Sequence, residues 1–387
     1  MTEGATKHIE AEHIAGLYLH VPFCKQACHY CNFHFSTSLK YKEEMVQAML
    51  LELEQRQDYL QGLPLKSVYF GGGTPSLLDA SELDRLFDKI QSIHTILPDA
   101  EITLEANPDD LSREKLAVLA NSPINRLSIG IQSFSNEDLE SMNRAHNAAE
   151  ANQCIDWARS AGFDQLTIDL IYGSPTTSDE QWAENVEKVL QYQLPHISCY
   201  CLTVEPKTAL AHFVKTGKAK PVDEAQAERQ FLYLMNTLEA AGYEHYEISN
   251  FALPGQRAVH NSNYWLGKPY LGIGPAAHSY NGQSRQWNVA NNARYIKHFL
   301  KQEALESPPF ELETLTPTQQ YNEYILTRLR TAWGVELEDL PVNFQSHFLK
   351  HVKTFQEKGD VIQRDQNYTL SRSGKLLADY ISMELFV

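Results

Sequence analysis

Six short apolar runs recur along the first half of the chain, and each is followed by a longer segment with apolar residues at helical spacing. The runs cover residues 17–21, 67–70, 101–104, 126–131, 165–171 and 196–200. The intervening segments, such as 41–60 and 180–192, carry charged outer faces, as crossover helices do. This alternation predicts an α/β fold in which six βα units build a parallel sheet, either open or barrel-like.

Polar and glycine-rich clusters follow five of these six runs directly. They lie at 24–31, 71–73, 105–107, 132–133 and 169–173. In a βα barrel, the chemistry is carried by the loops at the carboxyl ends of the strands. The pattern therefore predicts a functional site at that edge of the sheet.

The βα rhythm ends around residues 207–222, and the rest of the chain has a different pattern. A helical segment at 223–241 leads into a stretch rich in Gly, Tyr and His that runs to about residue 280. From about 312 onward, two helical segments precede a small β-ribbon and a last helix, which predicts a winged-helix-like module. We therefore expect a barrel over 1–215, an α+β extension over 216–310 and a C-terminal module over 311–387.

Charge and hydropathy narrow the possible partners and locations. The 387 residues carry a formal net charge of −16, which disfavours binding to nucleic acid or to anionic membranes. No run of about eighteen apolar residues occurs, so no transmembrane segment is expected. The first residues lack both an apolar and an Arg-rich targeting pattern, and a cytoplasmic protein is predicted.

Three of the six cysteines, Cys24, Cys28 and Cys31, fall within eight positions directly after the first strand. Three thiolates spaced Cys-x3-Cys-x2-Cys in one short loop suit three corners of an iron–sulfur cubane and leave one iron without a protein ligand. A structural zinc site needs four ligands, and His29 or His34 is a candidate for the fourth. The spacing favours the cluster, and zinc remains the alternative.

This cysteine loop resembles that of the radical S-adenosylmethionine (SAM) superfamily. The similarity continues through YLHVPFC, GGGTPS, LEANPDDL, RLSIGIQSF, DLIYGSP, HISCYCL and YLGIGPAAHSY, which resemble segments of oxygen-independent coproporphyrinogen III oxidases and their heme-chaperone relatives. The resemblance spans nearly the whole chain. It implies a partial (βα)6 TIM-like barrel, a [4Fe–4S] cluster on the three cysteines, and SAM bound to the fourth iron.

The same resemblance implies a set of residues that contact SAM. Glycines after a strand allow a close backbone approach to the cofactor. Carboxylates suit the ribose hydroxyls or the ammonium group, and a guanidinium suits the carboxylate of SAM. The implied set is Tyr18, Tyr30, Gly72, Gly73, Thr74, Glu105, Gln132, Arg144 and Asp169.

Two departures separate the chain from the oxidases of this family. Phe33 occupies the position of a fourth cysteine in the oxidase pattern, and only 17 residues precede Tyr18, where oxidases have a longer extension. The segment 260–265 instead fits the HNxxYW pattern of the heme-chaperone branch. We therefore expect a heme chaperone without coproporphyrinogen oxidase activity, and decarboxylation of porphyrinogen propionates remains the alternative function.

The HNxxYW segment predicts heme contacts, which come from His260, Asn261, Tyr264 and Trp265. A neutral imidazole is a good axial ligand for heme iron, and flat aromatic rings suit the faces of a porphyrin. His278 is an alternative iron ligand. Basic residues near the segment, Arg257 and Lys268, are candidates for pairing with the heme propionates.

The resemblance also implies partners beyond the cofactors. They are heme itself, hemoprotein clients such as respiratory-chain subunits, and an electron donor for the cluster. A homodimer is a further expectation.

Overall fold

The computed structural model describes residues 13–301 and 309–387. The predicted absence of a targeting signal concerns residues 1–12, which lie outside this range. Among the described helices, none combines the length and the apolar character that crossing a membrane requires. Two sheets organise the fold, one of twelve strands and one of three.

Six consecutive parallel strands form the centre of the large sheet, in the same order as in the chain. They are β1 (Ala15–Val21), β2 (Leu65–Gly72), β3 (Ile96–Ala106), β4 (Arg126–Gln132), β5 (Gln165–Tyr172) and β6 (His196–Cys201). Each of the six predicted runs lies within one of these strands, so the α/β prediction is confirmed. Three of the six strands, β1, β2 and β3, begin before the predicted runs, most clearly β3, which starts five residues earlier at Ile96.

Helices cross over between these strands and cover the outer face of the sheet. They are α1 (Lys42–Gln55), α2 (Ala80–Ile93), α3 (Arg113–Ala120), α4 (Asn136–Ser141), α5 (Ala148–Ser160) and α6 (Asp179–Tyr192). Capping boxes begin α2, α5 and α6, where the N-cap side chain and the side chain three residues later satisfy each other's backbone amides. These caps fix where the loops after β2, β4 and β5 end.

The two faces of the six-stranded centre differ in polarity. One set of alternate residues, including Leu17, Leu19, Val68 and Phe70, is buried in the apolar core beneath the helices. The other set faces the concave side and carries polar groups at each level. For example, the Tyr69 hydroxyl donates to Glu105, and Ser128 donates to Asp169. The interior of this partial barrel is therefore lined by hydrogen-bonding groups.

Later elements extend the sheet at both edges. On one side β9 (Tyr270–Ile273) pairs in parallel with β1, followed outward by β10 (His278–Tyr280), β11 (Ser284–Asn288) and β12 (Phe310–Thr314). On the other side β8 (Asn250–Ala252) and β7 (Glu244–Glu247) follow β6. The helices of this region are α7 (Ala209–Lys215), α8 (Glu224–Ala240), α9 (Val259–Trp265) and α10 (Asn292–Lys301).

The C-terminal module has an apolar core of its own, centred on Tyr321, Ile325, Phe348 and Val352. It consists of α11 (Pro317–Leu329), α12 (Val342–Lys358), α13 (Arg372–Leu376), α14 (Ala378–Glu384) and a sheet ordered β13 (Val335–Glu336), β15 (Asn367–Leu370), β14 (Val361–Arg364). Helices followed by a small antiparallel ribbon match the predicted winged-helix-like pattern. The division into domains at 215 and 310 stays a prediction, and β12 crosses the second of these boundaries.

Candidate functional site

A cavity of about 450 Å³ opens at the carboxyl ends of the six parallel strands, where the polar clusters of the sequence predict a site. Its wall includes all three clustered cysteines and eight of the nine residues expected to contact SAM. These are Cys24, Cys28, Cys31, Tyr30, Gly72, Gly73, Thr74, Glu105, Gln132, Arg144 and Asp169. Loops after five different strands thus converge on one space, as the parallel topology requires.

The cysteine loop follows β1 and is held from both sides by backbone hydrogen bonds. The Cys24 amide donates to the Ser36 carbonyl over 3.0 Å, and the Asn143 side chain donates to the Ala27 carbonyl over 2.7 Å. All three thiols are free and partly exposed to the cavity. Burial raises the pKa of Cys24 to about 11, so this thiol holds its proton until a metal replaces it.

The spacing of the thiols bears on the choice between a cluster and zinc. Among the residues that the structure describes, no three His, Cys, Asp or Glu side chains converge closely enough to share one metal ion. In a cubane each thiolate binds a different iron, so its three sulfur ligands stay apart, whereas zinc ligands meet at one centre. The preference for a cluster rests on the ligand count, because three thiolates complete the protein ligands of such a cubane and zinc needs a fourth ligand.

The glycine wall of the cavity leaves no room for side chains. Gly72 has a φ of 104°, a conformation that favours glycine, and a β-carbon there would lie 2.6 Å from Nδ1 of His20. A β-carbon at Gly73 would lie 2.6 Å from the Phe23 carbonyl oxygen. The glycines therefore pack the end of β2 against β1, which brings the backbone of this turn to the cavity surface.

Two carboxyl groups face the cavity from inside the barrel. Burial raises the pKa of Glu105 to about 7, against the hydrogen bond from Tyr69, which acts in the opposite direction. Burial likewise raises the pKa of Asp169 to about 6, and hydrogen bonds from Ser198 and Ser128 oppose this. A nearby positive charge would stabilise the ionised form of both groups, and SAM carries an ammonium and a sulfonium group.

Arg144 carries the positive charge of the site. Its guanidinium donates to the Cys28 sulfur over 3.3 Å, to Asn107 Oδ1 over 2.6 Å and to the Gly130 carbonyl over 2.8 Å. Its Nε is buried and has no hydrogen-bond partner. Gln132 lies beside it with a φ of 65°, a strained conformation for a residue other than glycine. This corner of the cavity suits a bound carboxylate.

Tyr18 is the one residue of the expected SAM set that does not line the cavity. It lies below the cavity inside the barrel, where its hydroxyl is 3.2 Å from Nδ1 of His20 and its ring stacks on Tyr69 at 6.1 Å. Two further residues escape the sequence analysis. Cys201, far from the triplet along the chain, lines the same cavity, and Tyr69 supports Glu105 from beneath. The alternation of inward residues along β2 is the signal that points to Tyr69. Cys201 is on the same side of β6 as Cys199 of the apolar core, and it reaches the cavity because it is the last residue of that strand.

The HNxxYW segment forms α9 and lies at the opposite end of the barrel. The His260 ring is enclosed there, with Nδ1 2.9 Å from the Ser67 hydroxyl oxygen. Asn261 is partly buried, Tyr264 is 44% exposed, and Trp265 lies 5.0 Å from Tyr264 between ring centroids. The structure therefore separates this set from the cysteine cavity and also places its histidine and its aromatic pair in different surroundings.

Tyr264 and Trp265 line a second cavity of about 280 Å³ between α9, the strands β9–β11 and helix α11 of the C-terminal module. We call it the α9 groove. Its wall also contains Tyr270, Tyr280, Tyr324 and two arginines, Arg285 and Arg328. Arg285 pairs with Glu323 over 2.7 Å.

Two further candidates for heme contacts lie outside both cavities: Arg257, a candidate for pairing with propionates, and His278, the alternative iron ligand. Arg257 pairs with Glu244 over 3.0 Å and stacks over Trp333, so its charge is already engaged outside the α9 groove. His278 is exposed on β10 and stacks with Trp287 at 6.1 Å. Neither of them lines the cysteine cavity or the α9 groove.

Comparison with protein families gives two matches that follow the structural division. The family model described as the radical SAM superfamily matches residues 18–189, which include the cysteine loop and five of the six central strands. The model described as the HemN C-terminal domain matches residues 315–377 within the C-terminal module.

Several curated relatives resemble the chain over most of its length. A protein named heme chaperone HemW from Lactococcus lactis is 35% identical over 86% of this chain and 86% of its own. Its namesake from Bacillus subtilis is 33% identical over 94% of this chain and 97% of its own. Among solved structures, coproporphyrinogen III oxidase (HemN) from Escherichia coli matches with a TM-score of 0.83 and 22% identity, over 100% of this chain and 94% of that one. The last match shows a common fold.

Proposed function

Because the chain belongs to the HemW heme-chaperone family of radical SAM proteins, we propose that it binds a [4Fe–4S] cluster, SAM and heme and delivers heme to hemoproteins. The observation that carries the cofactor part is the convergence of three cysteines and eight expected SAM contacts on one cavity. The resemblance implies these contacts one by one, and their arrangement around a single space supports the proposal.

Each residue of the cavity has a role in this proposal. Cys24, Cys28 and Cys31 hold three irons, and Arg144 and Gln132 receive the carboxylate end of SAM. Glu105 and Asp169 face the ammonium and ribose groups. When bound, the cluster and SAM supply one-electron chemistry at the sulfonium. The chain itself orients the two groups and encloses them, with Tyr30 and the glycine wall limiting access of water.

We place heme at the α9 groove rather than in the barrel. Tyr264, Trp265 and Tyr270 offer flat apolar faces, and Arg328 is a guanidinium group suited to a propionate. Arg285 is a second such group, and a propionate bound to it would displace Glu323. The volume of the groove is just below the range of about 300–1,000 Å³ usual for ligand pockets, so a macrocycle would insert one edge. Binding of heme iron by His260 would require α9 to withdraw from the barrel.

The sequence analysis adds expectations that stay predictions. They are delivery to respiratory-chain subunits, an electron donor for the cluster, a homodimer, and a cytoplasmic location. His260 and Asn261 as heme contacts, and His278 as the alternative iron ligand, also stay predictions.

A heme titration tests the position of the heme site. We expect the Soret shift of the wild-type protein to require at least about tenfold more heme in the Arg285→Gln/Arg328→Gln variant, since each lost charge-assisted pair costs affinity. Arg294→Gln, an exposed arginine on α10 that does not line the groove, is the matched control. Unchanged binding in the double variant would exclude the α9 groove, and absence of heme binding by the wild-type protein would remove the chaperone proposal.

A separate assay distinguishes the chaperone from the oxidase. Cluster-loaded protein is incubated without oxygen with coproporphyrinogen III, SAM and a reductant. We expect all four propionates to remain intact, including the two that the oxidase decarboxylates, because Phe33 replaces the fourth cysteine of the oxidase pattern. Stoichiometric conversion to protoporphyrinogen would restore the oxidase as the function.

A further inference from the structure

We propose that His260 is a positioning residue of the SAM site: from the far end of the barrel it fixes Tyr69, and Tyr69 in turn fixes the Glu105 carboxylate at the cavity. The proposal rests on the SAM site proposed above and extends it to a residue that does not line the cavity. The juxtaposition that carries it is a continuous set of contacts through the polar interior from α9 to Glu105.

The first step is the attachment of α9 to the floor of the barrel, the end opposite the cysteine cavity. The backbone amides of Val259 and His260 donate to the two carboxylate oxygens of Glu101 on β3, over 2.8 and 2.9 Å. Glu101 is in turn 3.7 Å from the buried Arg126 guanidinium. Hydrogen bonds to an ionised acceptor are stronger than neutral ones, so they hold the start of α9 in register with β3.

The second step is the placement of the imidazole. His260 Nδ1 is 2.9 Å from the Ser67 hydroxyl oxygen, and the ring stacks on Tyr69 with 4.9 Å between centroids and 26° between planes. The ring also lies beside Gly16 of β1, where a β-carbon would be 3.4 Å from His260 Cε1 and 3.1 Å from Ser67 Oγ. Burial lowers the pKa of His260 to about 4, so the ring is neutral near pH 7 and packs as a flat, uncharged surface.

The third step leads from Tyr69 to the cavity. The Tyr69 hydroxyl donates to Glu105 Oε1 over 2.7 Å, and Glu105 lines the cavity. A β-carbon at Gly71 would lie 2.9 Å from Tyr69 Cε1 and 3.1 Å from Glu105 Oε1, so this glycine keeps both side chains in contact. Removing the imidazole would free one face of Tyr69 and let its hydroxyl leave Glu105.

In this arrangement α9 contacts both the α9 groove and the side chains inside the barrel that lead to the cysteine cavity. The helix presents Tyr264 and Trp265 to the α9 groove and His260 to the barrel interior. A ligand that shifts α9 would therefore change the affinity for SAM, and SAM would change the affinity for that ligand by the same factor.

The test measures SAM affinity by equilibrium dialysis on anaerobically reconstituted full-length protein. We expect Tyr69→Phe to weaken SAM binding by about fivefold, the value of one lost hydrogen bond, and His260→Ala to weaken it by a similar or smaller factor. The double variant should bind no more weakly than Tyr69→Phe alone, because both changes remove the same contact. His260→Phe should restore near wild-type affinity, since it keeps a flat ring on Tyr69 and cannot bind iron.

Controls separate this role from misfolding and from failure of the proposed SAM site. His351→Ala, on α12 of the C-terminal module, should leave affinity unchanged, and every variant must match the wild type in iron content and circular dichroism. Independent, additive losses in the double variant would overturn the proposal, as would a His260→Phe protein as weak as His260→Ala. Absence of SAM binding by the wild-type protein would instead refute the proposed function.

Discussion

At the scale of single residues, the cavity places Glu105 and Asp169 where ionisation is unfavourable in the folded chain. Burial is the main cause of both raised pKa values. Hydrogen bonds from neighbouring hydroxyl groups offset only part of the unfavourable free energy of ionising these buried carboxyl groups. A cationic ligand would offset more of it. Burial of these two carboxyl groups therefore lowers the stability of the ligand-free protein and raises its affinity for a cationic ligand.

Glu105→Gln tests this trade by its pH dependence. The pKa of Glu105 is about 7 in the folded chain and about 4.3 when unfolded, so the folded state binds more protons between those values and loses stability as pH rises through them. The iron-free variant should equal the wild type near pH 4 and exceed it by up to about 4 kcal/mol at pH 8.

Urea denaturation of both iron-free proteins across this pH range measures the difference. Asp169→Asn should show the same sign over a narrower window, between its unfolded value and about pH 6. A stability difference that stays constant with pH would contradict the buried titration.

Cys28→Ser tests the cluster itself. A cubane that loses one of three thiolates is held poorly, so iron and sulfide should fall from about four each per chain to below one after anaerobic reconstitution. Cys201→Ser is the matched control because Cys201 lines the same cavity but lies on β6, outside the loop. Equal losses in both variants would mean that Cys201 is a ligand, and one zinc without sulfide would restore the zinc interpretation.

The positions of most site residues could be inferred from sequence because they follow strands in a parallel sheet, whose carboxyl ends meet at one edge. Tyr18 is expected from the family resemblance alone, and it lies within β1 below the cavity, where it contacts His20 and Tyr69. Cys201 and Tyr69 escaped because each looks like an ordinary strand residue. Strict alternation of inward and outward side chains along β2 identifies Tyr69. It does not identify Cys201, which shares a side of β6 with Cys199 of the apolar core.

At the scale of elements, α9 shows how a short helix can be fixed by a neighbouring strand. It has seven residues, and its N-cap, Ala258, provides no side-chain cap. Helices of this length are unstable alone, so Glu101 of β3 supplies what the local sequence lacks. Sequence analysis recognised the segment through its motif and could not place it, because its partner lies more than 150 positions earlier in the chain.

Glu101→Gln should loosen α9. One amide oxygen replaces two carboxylate oxygens, so we expect a loss of about 2 kcal/mol in local stability and roughly thirtyfold faster amide exchange over 259–265. Hydrogen exchange followed by mass spectrometry measures this. Glu43→Gln, an exposed carboxylate on α1, should leave exchange in α9 unchanged. Unaltered exchange in the Glu101 variant would show that packing alone holds the helix.

The elements themselves were predictable to different degrees. The six central strands follow from hydrophobic periodicity, and the crossover helices follow from their spacing and caps. Strands β7 to β12 were not resolved by the pattern because they have only three to five residues each. Short strands of this kind are defined by their partners rather than by their own sequence.

At the scale of the whole molecule, ion pairs that join the C-terminal module to the rest of the fold differ in their surroundings. Arg330 lies 3.3 Å from Glu247 of β7, whose side chain is 1% exposed, and its guanidinium also packs over Trp265 of α9. Arg372 of α13 pairs with Glu239 of α8 at the surface. Burial raises the pKa of Glu247, and Arg330 opposes that effect.

These two pairs should respond differently to neutralisation. Arg330→Gln leaves Glu247 buried beside no cation and should destabilise the protein by about 3 kcal/mol. Arg372→Gln should cost less than about 1 kcal/mol, since water replaces an exposed pair. Urea denaturation of the iron-free proteins gives both values. Equal effects would show that burial does not govern this junction.

The order of the barrel and the C-terminal module along the chain could be predicted from sequence, but the contacts between them could not. The βα rhythm and the helix–ribbon pattern indicate a barrel followed by a C-terminal module. One contact between them is the ion pair of Arg330 with Glu247, and Glu247 lies on β7, a strand that the sequence pattern did not predict. Long-range pairs of this kind have no local signature in a single sequence.

The closure of the barrel floor by α9 also bears on how the protein is made. The matched radical SAM region ends at residue 189, whereas the strand beside β1 and the helix beneath it come from residues beyond 258. A nascent chain emerging from the ribosome therefore exposes the polar shaft of the barrel to water, and β1 keeps an open edge, until the last third of the protein is synthesised. The region that matches the family therefore ends before the segments that complete the sheet beside β1 and close the floor of the barrel.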